Sequence, residues 1–325
     1  MTPENRILVT GAAGFIGSHL VQRLRGRGHS LVALDNFDPY YDAASKRRNL
    51  EEALAGDWSD FVQADVRDRK LMADLLRKHK VTTVVHLAAR AGVRASLEDP
   101  QTYFDLNVMG TLALWQACHA AGVKRFLFAS SSSVYGQVDT PVTEGSLTRP
   151  LSPYGASKAA AESLCQTYAY LSQIDTAVLR FFTVYGPRQR PDMAIRRFIN
   201  LIDEGRPVTL FGDGHSRRDY TYVDDIIAGV VAAIEKPLSG YHVFNLGGGE
   251  PVELERVVRL IEKNLGKRAT VRYKPAPPGE PTLTFADISR ARQLLGFQPH
   301  VSIEQGIERF VRWHMEKVNA LAPVS

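Results

Sequence analysis

The chain reads as α/β, a doubly wound parallel sheet with a smaller mixed lobe toward its C-terminus. Three observations predict this. A glycine fingerprint joins the first strand to the first helix, apolar strands alternate with amphipathic helices as far as Arg180, and that rhythm stops after Phe181. Strand–helix alternation requires right-handed crossovers, which put helices on both faces of one parallel sheet.

The first strand is expected over residues 6–10 and runs straight into T-G-A-A-G-F-I-G, with a helix pattern starting near Phe15. Bare Gly11 and Gly14 allow a pyrophosphate to approach the backbone, the amides of Phe15 and Ile16 open the helix toward it, and Gly17 lets helix and strand pack closely. The second strand, 30–34, ends at Asp35, where a carboxylate meets the adenosine ribose hydroxyls and opposes a 2′-phosphate, so NAD is expected over NADP. Together these make the sheet Rossmann-type. Asn36 adjoins that acid. Strand 60–63 is followed by Asp65 and Val66 at the adenine, and strand 82–87 closes on Leu87, Ala88 and Ala89, small enough for a cofactor to pass. Strands 125–130 and 176–180 complete the series, with helices beginning near Arg69, Thr102 and Tyr154.

After Phe181, Pro187, Pro191, Pro207 and several glycines mark a less regular lobe. A helix at 224–236 and a strand at 241–246 read as a return to the first sheet. The expected division is therefore 1–180 with 219–246 as the NAD-binding domain, and 181–218 with 247–325 as the substrate lobe. Helices near 254–265 and 303–318 fall in that lobe, joined by the proline-rich 274–281.

At 325 residues, 44% hydrophobic and 23% charged, the chain is globular. Its 40 basic against 35 acidic residues give a modest excess that suits an anionic small molecule, and their scatter argues against nucleic acid. Cys118 and Cys165 are far apart in helix-like segments, as for buried reduced thiols in the cytoplasm. The first strand begins too early for a signal peptide, no apolar run suits a membrane span, and the histidines lack metal spacing.

Chemistry concentrates after the fifth strand. Ser130, Ser131, Ser132 and Ser133 lead to V-Y-G, and S-P-Y-G-A-S-K follows from Ser152. Tyr154 and Lys158 are one helical turn apart on a shared face. A nearby ammonium and an oxidised nicotinamide favour the phenolate, making Tyr154 a base near neutrality, and Lys158 is also placed for the nicotinamide ribose.

At these residues the chain resembles the extended short-chain dehydrogenase/reductase family, especially its nucleotide-sugar 4-epimerases. The likeness rests on T-G-A-A-G-F-I-G, H-L-A-A, S-S-S-S-V-Y-G, Y-G-A-S-K, R-F-F-T-V-Y-G-P and R-R-D-Y-T-Y-V-D-D, spread over nearly the whole chain. D-N-F-D-P-Y-Y-D, A-G-V-R and R-P-D-M-A make it most similar to the UDP-glucuronate 4-epimerases. The resemblance implies that Tyr154 and Lys158 act on the sugar with help from Ser131, that Arg218 holds the diphosphate, and that Phe182 and Thr183 line the sugar site. It also implies a homodimer through the helices at 102–121 and 154–170. Pro277 stands where UDP-galactose 4-epimerases carry arginine, which disfavours a neutral hexose. Glu280 is either a uridine-ribose contact or an exposed loop charge.

Related dehydratases and decarboxylases tend to carry Asp or Glu at the positions of Ser132 and Ser133, whereas the hydroxyls here orient a substrate without supplying an elimination acid. The expected reaction is NAD-dependent conversion of UDP-glucuronate to UDP-galacturonate through a transient 4-keto sugar. That β-keto acid loses carbon dioxide unless its carboxylate is clamped, and the candidates are the serine hydroxyls and backbone N–H groups, with Arg94 and Arg190 available for a charge-assisted bond. Either arginine is equally a surface or phosphate-facing charge. A UDP-glucose/UDP-galactose 4-epimerase, a net dehydrogenase and a non-catalytic NAD sensor remain as alternatives. Intact Ser131, Tyr154 and Lys158 argue against the sensor.

Overall fold

The computed structural model describes residues 6–275 and 281–321. Seven strands form one fully parallel sheet: β1 (Ile7–Thr10), β2 (Leu31–Asp35), β3 (Phe61–Gln63), β4 (Thr83–His86), β5 (Arg125–Ser131), β6 (Asp175–Phe181) and β10 (Tyr241–Leu246). Their order is β10-β6-β5-β4-β1-β2-β3. Strands β1, β2 and β4 are buried along their whole length, as strands rich in Val, Leu and Ile are when helices cover both faces of a parallel sheet. Side-chain alternation divides the core accordingly. Ile7 and Val9 pack with Leu31 and Ala33 on one face, and Leu8 with Val32, Val84 and Phe126 on the other.

Short polar signals set the helix starts. Asp42 caps Ala43–Leu54 through the amides of Ala44 and Ser45, Asp68 caps Arg69–Lys78 at Leu71, and Ser152 caps Pro153–Ser172 at Gly155. Pro153 sits at the first helical position, where its missing N–H costs nothing.

The smaller lobe contains β7 (Thr183–Tyr185), β9 (Arg217–Tyr222) and β11 (Pro251–Glu253) in one sheet, and β8 (Val208–Phe211) with β12 (Val271–Lys274) in another. Two buried acids tie its loops down. Asp219 accepts the amides of Gly248, Gly249 and Ala286, and Asp225 those of His300 and Val301.

Sequence boundaries for the main strands differ from these by one residue or less. The helix expected near Thr102 begins instead at Pro100 and passes through a π turn, Asp105–Met109, before continuing over Gly110–Ala121. The helices Ala43–Leu54, Val93–Glu98, Ala194–Asp203 and Ser289–Leu295 were not legible as elements. Strand order reverses between β1 and β4, which opens a crevice at the carboxyl ends of the strands. Cys118 and Cys165 are free and buried, and among the described residues no helix is long and apolar enough to cross a membrane.

Candidate active site

A single cavity of about 1000 Å³ runs from that crevice into the smaller lobe. It brings together every candidate residue that lies within the described part of the chain, from Gly11 to Arg218. Glu280 and Pro277 lie outside the described residues.

At one end the glycine loop is fixed by contact. Gly11 has φ +69°, and a Cβ there would lie 2.7 Å from the Ala88 nitrogen. A Cβ on Gly17 would lie 2.0 Å from the Gly11 carbonyl oxygen, so bare backbone is obligatory at both positions. The helix Phe15–Gly26 begins without a side-chain cap, leaving the amide end of the helix facing the cavity for an anion. Asp35 ends β2 and accepts the Ala13 amide at 3.0 Å and the Phe37 amide at 2.8 Å. Burial raises its pKa, and those amides counter the shift. Asn36 donates to Asp65 at 3.0 Å, and Arg67 forks onto the same carboxylate, which is held down to about 2 chiefly by that contact. Val66, Leu87, Ala88 and Ala89 complete this wall. Uncapped helix amides, bare glycines and a carboxylate at the end of β2 fit a dinucleotide.

The other end carries the acid–base groups. The Lys158 ammonium donates to the Ala129 carbonyl at 2.7 Å, and burial pulls its pKa down to about 8. Burial raises the Tyr154 phenol, while a hydrogen bond with Ser131 and the charge of Arg190 lower it. The sequence pointed to ammonium and nicotinamide as the groups acting on this phenol; in the structure the cation acting on it is instead the guanidinium of Arg190, from the loop after β7, while Lys158 donates to the Ala129 carbonyl. Gly155 allows the approach, because a Cβ there would sit 2.4 Å from the Ser133 carbonyl oxygen. Ser131 and Ser133 hydroxyls are 3.1 Å apart and share the rim with Ser132.

Arg190 is held by a two-pronged pair with Asp192 at 3.0 and 2.9 Å, and its guanidinium lies 5.4 Å from the Tyr40 ring centroid. Arg90 lies 4.8 Å from the same ring. Tyr103 meets Tyr154 edge to face at 6.1 Å. Arg94 stacks on Phe211 of β8 at 4.1 Å, so it links the two walls of the cavity. Arg218 donates to the carbonyls of Arg217 and Thr282, and Phe182 and Thr183 line the floor.

Sequence reasoning missed Tyr40, Lys46, Asp192 and Phe211 as cavity residues. Tyr40 lay within a motif already noted, D-N-F-D-P-Y-Y-D, and Asp192 within R-P-D-M-A. Lys46 is buried against the Asp38 carbonyl and the Tyr41 ring, which only the fold of its helix reveals.

Residues 7–247 match the model of the family described as "NAD dependent epimerase/dehydratase family". A UDP-glucuronate 4-epimerase of Thermodesulfobacterium geofontis is 41% identical over 98% of both chains. A crystal structure of UDP-glucuronic acid 4-epimerase from Bacillus cereus, in complex with UDP-glucuronic acid and NAD, is 42% identical with a TM-score of 0.91, covering 96% of this chain and 99% of that one. UDP-glucose 4-epimerase from Thermotoga maritima, with UDP-glucose, is 32% identical with a TM-score of 0.89, covering 96% and 99%.

Proposed function

The chain belongs to the NAD dependent epimerase/dehydratase family, and from that premise we propose that it interconverts UDP-glucuronate and UDP-galacturonate by epimerisation at C4. The observation that carries the reading is the content of the reacting end of the cavity. Tyr154 is set among the hydroxyls of Ser131, Ser132 and Ser133 and one anchored guanidinium, with no carboxylate in the serine run.

The glycine loop and Asp35 would hold NAD, which when bound would supply reversible two-electron oxidation at the sugar carbon. Tyr154 takes the proton from the C4 hydroxyl and later returns it, so the same phenol serves as base and acid. Ser131 keeps that proton path aligned by its hydrogen bond to Tyr154. Arg190 stabilises the phenolate, and Lys158, held at the Ala129 carbonyl, is placed for the nicotinamide ribose. The transient 4-keto sugar turns about its diphosphate linkage, which Arg218 retains. Its carboxylate is held out of alignment with the carbonyl by Arg190 and the serine hydroxyls, which blocks loss of carbon dioxide. The Arg190 guanidinium can make such a charge-assisted bond because Asp192 engages only Nε and Nη2, leaving Nη1.

The smaller lobe that carries β7, β8, β9, β11 and β12 is the nucleotide-sugar side of the cavity in this reading. A homodimer is supported by the apolar side chains exposed on two neighbouring helical segments, among them Met109, 54% exposed, and Tyr170, 84% exposed. The buried thiols of Cys118 and Cys165 suit a reducing cytoplasm.

The purified protein is incubated with UDP-glucuronate and products are followed by NMR. UDP-galacturonate is the expected product. UDP-pentose as the main product would make the enzyme a decarboxylase, and an unchanged sugar with bound NAD would make it a sensor.

A further inference from the structure

A second group of charges lies behind the reacting side chains and carries none of the roles assigned above. Glu162 follows Lys158 by one helical turn and Tyr154 by two, so all three share a face of the helix Pro153–Ser172. Arg180 of β6 grips its carboxylate with two prongs, Nε to Oε1 at 3.0 Å and Nη2 to Oε2 at 2.7 Å. Ser130 of β5 donates its hydroxyl to Oε1. Arg180 continues through Nη1 to the Tyr135 hydroxyl at 2.8 Å, which donates to Asn245 Oδ1 at 2.6 Å. Ser130, Arg180 and Asn245 stand opposite one another across β5, β6 and β10. Arg180 and Glu162 are 5% and 6% exposed.

Burying an ion pair this completely adds little stability beyond that of apolar residues of similar volume, because desolvation offsets the attraction. Its geometry suggests a different service. The helix meets β5 through three successive turns: Tyr154 at the Ser131 hydroxyl, Lys158 at the Ala129 carbonyl and Glu162 at the Ser130 hydroxyl. The first contact lies on the proton path, and the second holds Lys158 by one hydrogen bond. The third is locked by a second charge to the next strand.

We infer that Glu162, held by Arg180, is a positioning residue that fixes the register of the Tyr154–Lys158 helix on the serine run; what is positioned rests on the epimerase reading. A rigid anchor one turn below the reacting pair limits sliding along the helix axis, the displacement that would separate Tyr154 from Ser131. Misplacement by about 1 Å costs roughly 10²-fold in rate.

Two variants test this. Glu162→Met/Arg180→Met removes both charges together, and Ser130→Ala removes only the tie to β5. Each NAD-loaded protein is compared with wild type for kcat, KM for UDP-glucuronate and amide hydrogen exchange over residues 154–162. The double variant is expected to fold, lose about tenfold or more in kcat at unchanged KM, and exchange faster in that helix. Ser130→Ala should move both readouts the same way by a smaller factor. A folded double variant with wild-type kcat and exchange overturns the inference. If the double variant fails to fold, wild-type kcat and exchange in Ser130→Ala overturn it alone. Exchange requires no substrate, so a wild-type protein inert toward UDP-glucuronate would count against the reaction while the exchange rates still judge the register.

Discussion

Lys158 donates to the carbonyl of Ala129 at 2.7 Å from a fully enclosed position, and its ammonium lies 4.7 Å from the Phe128 ring centroid. Holding a charge there is costly, which is why its pKa falls from 10.5 to about 8. A base whose folded pKa is depressed binds fewer protons folded than unfolded at intermediate pH, so stability from this group is lowest below pH 8 and is regained as pH rises toward 10.5.

Lys158→Met is therefore expected to raise the melting temperature of the NAD-free protein at neutral pH while reducing turnover by about 10² or more. Thermal unfolding of both proteins across pH 7 to 10 checks it. The gap should narrow with rising pH. A variant that is less stable at every pH would mean that the Ala129 contact outweighs the cost of burying charge.

Tyr154→Phe should fold, carry NAD and lose about 10² or more in turnover, the usual scale for general acid–base catalysis. The measurement is turnover in protein with wild-type NAD content. Substantial epimerisation by this variant would transfer the proton to Ser131.

The strands and the phosphate end were legible because their signals are local. A parallel strand buried on both faces must be a short apolar run, and the glycine fingerprint is a contiguous backbone requirement. Tyr154 and Lys158 were legible for a similar reason, since helical spacing alone places them together. Arg190 was found as a charge but not as a neighbour of Tyr154, because the loop after β7 returns to the serine run only in the fold. Ala43–Leu54 was missed because its first two turns are dominated by charged and small residues, and its buried stripe is just Lys46, Leu50, Ala53 and Leu54. A buried lysine in that stripe defeats the usual apolar periodicity.

Gly155→Ala tests the approach of helix to serine run. Its Cβ would lie 2.4 Å from the Ser133 carbonyl oxygen and 3.0 Å from the Pro150 side chain, so the helix start must shift. Because Gly155 is next to Tyr154, the expected result is a fall in kcat of about tenfold or more with NAD retained. Wild-type kcat would show that the shift is taken up by the 149–152 segment instead.

Asp35→Ala should reduce discrimination against NADP, since the carboxylate that opposes a 2′-phosphate is gone. The structure adds a cost, because Asp35 also accepts the Ala13 and Phe37 amides and so steadies the glycine loop. NAD affinity should therefore fall as the preference relaxes. Titration with both cofactors separates the effects, and an unchanged preference would remove Asp35 from the selectivity role.

Substrate choice tests the carboxylate clamp. Arg190 is anchored by Asp192 and influences Tyr154, whereas Arg94 is stacked on Phe211 across the cavity. A hydrogen bond to a charged group is worth about 1.5–3 kcal/mol, so losing the right arginine should cost roughly 10- to 100-fold on UDP-glucuronate. UDP-glucose has no carboxylate and should lose only the Arg190 contribution to the Tyr154 phenolate, which both substrates share. Arg190→Ala is expected to narrow the ratio of kcat/KM for the two substrates by that factor. It should also release carbon dioxide and some UDP-pentose, because the 4-keto uronate is then free to align its carboxylate with the carbonyl. Arg94→Ala should lower kcat/KM for both substrates alike, as loss of a contact between the cavity walls would. If Arg94→Ala alone narrowed the ratio, the clamp would belong to the Val93–Glu98 helix, and Arg190 would be left as the cation that tunes Tyr154.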